Sequence, residues 1–145
     1  MIQRLIRYLA IFLIWCGLST SHAEGFDWTL LKGTWAESAQ GKFGCSPDNL
    51  HQRLSPSRDF MTLFFENDRK WKSSNGQELE RYSATIISSS PNVLIIKYNA
   101  DLTGIPEQYR EWEMRFIGPG TYRWRSTSWP IGTYNDVIGV LCKRE

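Results

Sequence analysis

From Glu24 onward the chain carries no stretch with a convincing helical period. Short runs that alternate between apolar and polar residues, or are rich in β-branched and aromatic residues, recur between turn signals. The clearest alternation lies in residues 108–117. Trp112, Met114 and Phe116 fall on one face there, and Glu111, Glu113 and Arg115 on the other. Eight such runs can be marked: residues 31–37, 59–66, 69–73, 78–88, 93–98, 108–117, 121–129 and 136–143. Asn67-Asp68, Asn75-Gly76, Ser89-Ser90-Pro91-Asn92 and Gly118-Pro119-Gly120 punctuate them, and Asn-Gly is the strongest two-residue hairpin signal. Residues 38–57, rich in Gly, Ser and Pro, read as one long polar connection. The pattern predicts an all-β domain with eight antiparallel strands in up-and-down order. An open sheet of that kind leaves two unpaired edges, and closing it removes them. Closure of eight strands gives a small β-barrel whose interior is filled by side chains or holds one small ligand. A two-sheet sandwich is the alternative.

The same alternation assigns an interior: Tyr82, Ala84, Ile86, Leu94, Ile96, Tyr98, Trp112, Met114, Phe116, Tyr122, Trp124, Ile138 and Val140. These are large side chains, so a packed interior competes with a pocket. Two runs are apolar on both faces, residues 60–65 ("FMTLFF") and 93–96 ("VLII"). They are expected to lie under the 38–57 connection, or else to meet a partner.

Residues 1–23 change what the composition means. Arg4 and Arg7 precede an apolar run of 11 residues, 8 to 18, and then Ser21 and Ala23 stand at −3 and −1 of a cleavage site. This reads as a secretory signal peptide, with residues 24–145 forming a single β-barrel domain. The apolar run is well short of the roughly 20 residues of a membrane span. "LIWCG" resembles a bacterial lipobox, but Trp15 stands where that motif has a small residue, so a lipid anchor at Cys16 is the weaker reading. The whole chain has 17 basic and 15 acidic residues; removing Arg4 and Arg7 leaves 15 of each. A neutral domain has no general electrostatic reason to hold nucleic acid. Cys45 and Cys142 remain, and two cysteines in an exported protein most simply form one disulfide.

Gly33 and Trp35, in "LLKGTWAES", resemble the Gly-x-Trp of the first strand in the lipocalin, or calycin, superfamily. The resemblance implies that Trp35 lies across the barrel floor, that the apolar lead-in "FDWTLL" caps that end as a short helical turn, and that Lys143 or Arg144 packs over the indole. The Thr-Asp-Tyr signature of the family is missing, the corresponding turn reading "GPGTY". The chain also has no room for a helix after the last strand. It is therefore closest to a minimal calycin barrel. The resemblance further implies a small apolar or amphipathic ligand, met by Tyr82, Tyr98, Arg110, Trp112, Met114, Phe116, Tyr122 and Trp124. Arg110, in phase with Trp112, falls near the mouth, where it could meet a ligand carboxylate or simply end the strand in water.

The remaining chemistry is sparse. His51 is the one histidine after residue 23, set in a polar stretch with no nucleophile motif near it. With the cysteines paired, too few ligands remain for zinc. Glu111 and Glu113, opposite Trp112 and Met114, should face water. Arg123, Arg125 and Trp129 share the outer phase of their run and form a possible basic and aromatic strip. The expectation is an exported, periplasmic or secreted, non-enzymatic ligand-binding barrel without metal or cofactor. The alternative is a module that binds another exported protein, such as an inhibitor of a cell-wall lytic enzyme or protease.

Overall fold

In the computed structural model the described residues are 25–38, 44–57, 59–72, 76–99 and 105–145. The signal-peptide reading of residues 1–23, with Cys16, lies outside them. The described chain forms ten strands and two short 3-10 turns (Trp28–Leu31 and Glu107–Tyr109). Eight strands close into an antiparallel barrel: β1 (Thr34–Ser38), β2 (His51–Pro56), β3 (Phe60–Phe65), β6 (Arg81–Ser90), β7 (Val93–Tyr98), β8 (Glu111–Gly118), β9 (Thr121–Ser126) and β10 (Ile138–Lys143). The remaining two, β4 (Trp71–Lys72) and β5 (Glu78–Leu79), make a separate small hairpin in the connection from β3 to β6. Each barrel strand pairs with its neighbours in chain order, and β1 closes the ring on β10.

The strand count agrees with the sequence pattern, but its membership differs. The run 69–73 leaves the barrel and contributes only β4. Its place is taken by β2, from inside the stretch read as a loop. The reason is chemical. Residues facing the interior on β2 are Gln52 and Leu54, and a buried glutamine breaks the apolar alternation that marks a strand. His51 is accordingly not in a loop: it is half-buried at the start of β2, with Nε2 3.2 Å from the Ser46 carbonyl. The 38–57 stretch does not cover the apolar runs either. Its second half pairs edge to edge with β3. Residues 44–49 lie against the β1–β10 seam, where the Cys45–Cys142 disulfide joins Cα atoms 5.3 Å apart. Gly44 donates to Ser38 Oγ at 2.8 Å, and Asn49 Nδ2 donates to the carbonyls of Glu37 and Gly44 at 2.9 and 2.7 Å. A 97-residue loop is thereby closed, a constraint on the unfolded chain worth about 4–5 kcal/mol in chain-entropy terms.

The interior runs in two phases. On β7, β8 and β9 the sequence reading holds: Leu94, Ile96, Met114, Phe116, Tyr122 and Trp124 are all buried. On β10 it is reversed. A Cβ placed on Gly139 would overlap the Tyr122 ring, so Gly139 faces inward and Ile138 and Val140 face outward. Val140 then packs beneath Gly44 of the returning loop. At the floor, Trp35 is completely buried and donates its indole N–H to the Leu31 carbonyl at 3.1 Å. Phe116 and Tyr122 stack on it at ring separations of 5.8 and 5.1 Å, and Phe26 adds a further ring against Phe116. Gly33 has φ of +123°, and a side chain there would strike the Lys143 carbonyl. Lys143 and Arg144 are both exposed, and Arg144 Nη2 donates to the Pro119 carbonyl at 3.1 Å.

Glu113 does not face water. It is buried on the outer wall, with Arg125 Nη2 2.7 Å from Oε2 and Arg115 Nε 2.7 Å from Oε1. Burial by itself would raise its pKa, but hydrogen bonds from the two guanidiniums prevail and hold the carboxyl below the usual carboxylate range. The unfolded chain therefore takes up that proton more readily, and the contribution fades as pH falls through the native value. The stability gap between wild type and Glu113→Gln should shrink from about pH 7 to about pH 3, followed by urea unfolding. A second outcome concerns the seam. Gly139→Ala should cost about 3 kcal/mol, because the Tyr122 ring has no room to yield, read as a lowered denaturation midpoint.

Candidate functional site

The two ends of the barrel are built differently. At the floor, β2–β3, β6–β7 and β8–β9 are joined by short turns, and the Trp28–Leu31 turn lies across the opening. At the other end the connections are longer, and their described residues, 44–50, 66–72, 76–80, 105–110 and 127–137, surround a mouth. A cavity of about 190 Å³ opens there, lined by Tyr82, Tyr98, Trp112 and Trp124 from the strands and by Trp71, Ile105, Asn135 and Val137 from the loops. At its base is Glu37. A second lobe of about 160 Å³ shares Glu37, Trp71 and Tyr82 with it and extends to Asn49, Leu50, Gln52 and Phe65.

Glu37 reaches this position because it lies two residues beyond Trp35 on β1, so both point inward. Opposite it on β10 is Gly139, which leaves space for the carboxylate and the Tyr122 ring together. Three donors converge on Oε1: Tyr122 OH at 2.8 Å, Trp124 Nε1 at 2.8 Å and Gln52 Nε2 at 3.3 Å. Gln52 also donates to the Tyr122 oxygen at 2.9 Å. Among the described residues no lysine or arginine pairs with Glu37. Nor does any donate to Oε2. The only sealed side-chain polar atom without a partner among them is Arg123 Nε, so Oε2 keeps some accessible surface, and Glu37 lines both lobes.

The walls are aromatic and mutually braced. Trp71 and Tyr82 lie 5.3 Å apart, Tyr82 and Tyr98 5.4 Å, Phe65 and Tyr82 5.7 Å. Trp112 stands edge-on to Trp129 at 5.5 Å and donates its indole N–H to the Tyr109 carbonyl at 2.9 Å. Burial, followed by the nearby Glu37 charge, pushes the Tyr122 phenol well above its ordinary pKa. Tyr82 is raised by burial and then by Tyr98 and Glu37, and Tyr98 is raised by burial and then by Glu37. All three phenols remain protonated at neutral pH, and Tyr122 serves Glu37 as a donor.

Of the residues expected to meet a ligand, Tyr82, Tyr98, Trp112 and Trp124 line the cavity. Met114, Phe116 and Tyr122 lie deeper, in the packed half above Trp35. Arg110 is on the loop before β8, where its Nε donates to the Ile105 carbonyl at 2.6 Å. The outer pair Arg123 and Arg125 is engaged: Arg125 with Glu113 and the Trp129 carbonyl, Arg123 over the Tyr134 ring at 4.9 Å. Glu37, Trp71, Ile105, Asn135 and Val137 are the additions. Glu37 was detectable from its phase with Trp35. Trp71 sits on the small β4–β5 hairpin, and Ile105, Asn135 and Val137 sit on loops, where no periodicity points inward. Among the described residues no cluster of three metal-ligating side chains occurs, and no helix is long and apolar enough to cross a membrane. No protein-family model, curated protein or solved structure matches the chain.

Removing the hub should be costly. Glu37→Ala strands a buried phenol, indole N–H and amide, and is expected to lose about 2–4 kcal/mol of stability, whereas Glu37→Gln, which keeps an acceptor, should lose about 1 kcal/mol or less. Urea denaturation of both variants measures the difference.

Proposed function

We propose that the chain is an exported, calycin-like barrel that binds a small apolar or amphipathic molecule at the loop-rich mouth. The observation that carries this reading is the division of the interior. The lower half is packed solid around Trp35, while the upper half keeps an aromatic cavity with a polar floor. A barrel stabilised only by filling would have no reason to leave large ring faces unpaired at one end. Size limits the guest. A cavity near 150 Å³ takes up benzene, whereas drug-sized ligands occupy roughly 300–1,000 Å³. A guest would therefore insert one ring or a compact head and extend the remainder between the loops. Binding is favoured over catalysis because the groups around Glu37 are a protonated phenol, an indole N–H and an amide, none of them a nucleophile or base. The disulfide fits an oxidising compartment.

Val137→Trp tests the site without touching the packed half, since Val137 lies in the loop before β10 and is only half-buried. The uncharged fluorophore N-phenyl-1-naphthylamine should brighten and bind the wild type saturably. The variant, with an unchanged circular dichroism spectrum, should bind it at least about tenfold more weakly. Equal binding to both would place the guest elsewhere, and a wild type that binds neither this probe nor any co-purifying molecule in native mass spectrometry would overturn the reading.

A further inference from the structure

The Glu37 carboxylate and the ring faces above it select a sign of charge. Three neutral donors occupy Oε1, but among the described residues no cation neutralises the group and no donor meets Oε2. Glu37 is half-buried, and a carboxylate partly shielded from water is ordinarily paired with a counter-charge. Here Glu37 lines a space whose walls include Trp71, Tyr82, Tyr98, Trp112 and Trp124. The faces of aromatic rings carry negative electrostatic potential and attract cations, above all when water is displaced. Wall and floor thus favour the same kind of guest and disfavour an anionic one.

We infer that the mouth recognises a small organic ammonium, an amine or quaternary nitrogen bearing an apolar body, with the cation seated between Glu37 Oε2 and the ring faces. This rests on the binding reading above and narrows it to a chemical class. It also places an incoming carboxylate at a disadvantage, even though Arg110 lies nearby, because Arg110 is held by the Ile105 carbonyl.

Two probes of matched shape, benzyltrimethylammonium and its uncharged carbon isostere neopentylbenzene, together with a smaller anion, phenylacetate, separate a cation site from a purely apolar one. Their binding can be followed through the fluorescence of Trp71, Trp112 and Trp124. Benzyltrimethylammonium is expected to bind at least about tenfold more tightly than neopentylbenzene, with phenylacetate weakest. Glu37→Gln should reduce that preference to within about threefold while neopentylbenzene affinity stays level. Because Glu37 also holds the Tyr122–Trp124–Gln52 group, a second variant guards the test. Trp71→Leu lies on the small hairpin outside the barrel; it keeps apolar surface but removes a ring face, and should weaken the cation more than the isostere. Neopentylbenzene or phenylacetate binding as tightly as the cation would overturn the ammonium assignment and leave the binding site standing. A preference that survives both substitutions would overturn it too. If none of the three probes binds, the ligand-binding reading itself fails.

Discussion

The antiparallel pairing of β1 with β10 is the constraint on which the molecule turns. It closes the sheet, and it fixes the register that sets Trp35 opposite Leu141 and Glu37 opposite Gly139. Two residues of one short strand thereby define both ends of the interior, an indole at the floor and a carboxylate at the mouth. Gly33 allows the strand to begin close against the Lys143 backbone, and Gly139 makes room for Tyr122. The disulfide and the Asn49 hydrogen bonds hold the returning loop against the outside of the same seam. Slipping this register by one residue would turn Glu37 outward and Ala36 inward, removing floor and mouth together.

Most of the architecture could be read from alternation. Residues 108–126 carried their faces openly because β8 and β9 place large apolar side chains on one side and charges on the other. Where the sequence pattern misleads, a buried position holds a residue without an apolar side chain. Gln52 lies inside to meet Glu37 and Tyr122, so β2 resembled a loop. Gly139 lies inside to clear Tyr122, so the apolar residues flanking it, Ile138 and Val140, took the wrong face. Glu113 was read as solvated because nothing in the sequence shows that Arg115 and Arg125 fold across it. Part of the mouth is legible in the strands; Trp71, Ile105, Asn135 and Val137 are not, since residues of loops and of a small hairpin outside the barrel owe their direction to tertiary contacts.

The floor and the mouth also use aromatic residues for opposite ends. Around Trp35, Phe116 meets the indole edge to face and Tyr122 lies tilted against it, and the energy is that of burial and quadrupole contact. Around Glu37, rings brace one another from behind and present free faces forward. The Tyr122 phenol couples the two halves: its ring packs on Trp35, and its hydroxyl supports the carboxylate. A disturbance of the packed half would therefore be felt in the orientation of the site.

The placement of the barrel's seam residues has a practical side. Gly33 and Lys143 abut at the floor, so the first strand enters and the last one leaves on the side away from the opening. A surface linkage or a fused fluorescent domain attached through that side would leave the entrance unobstructed.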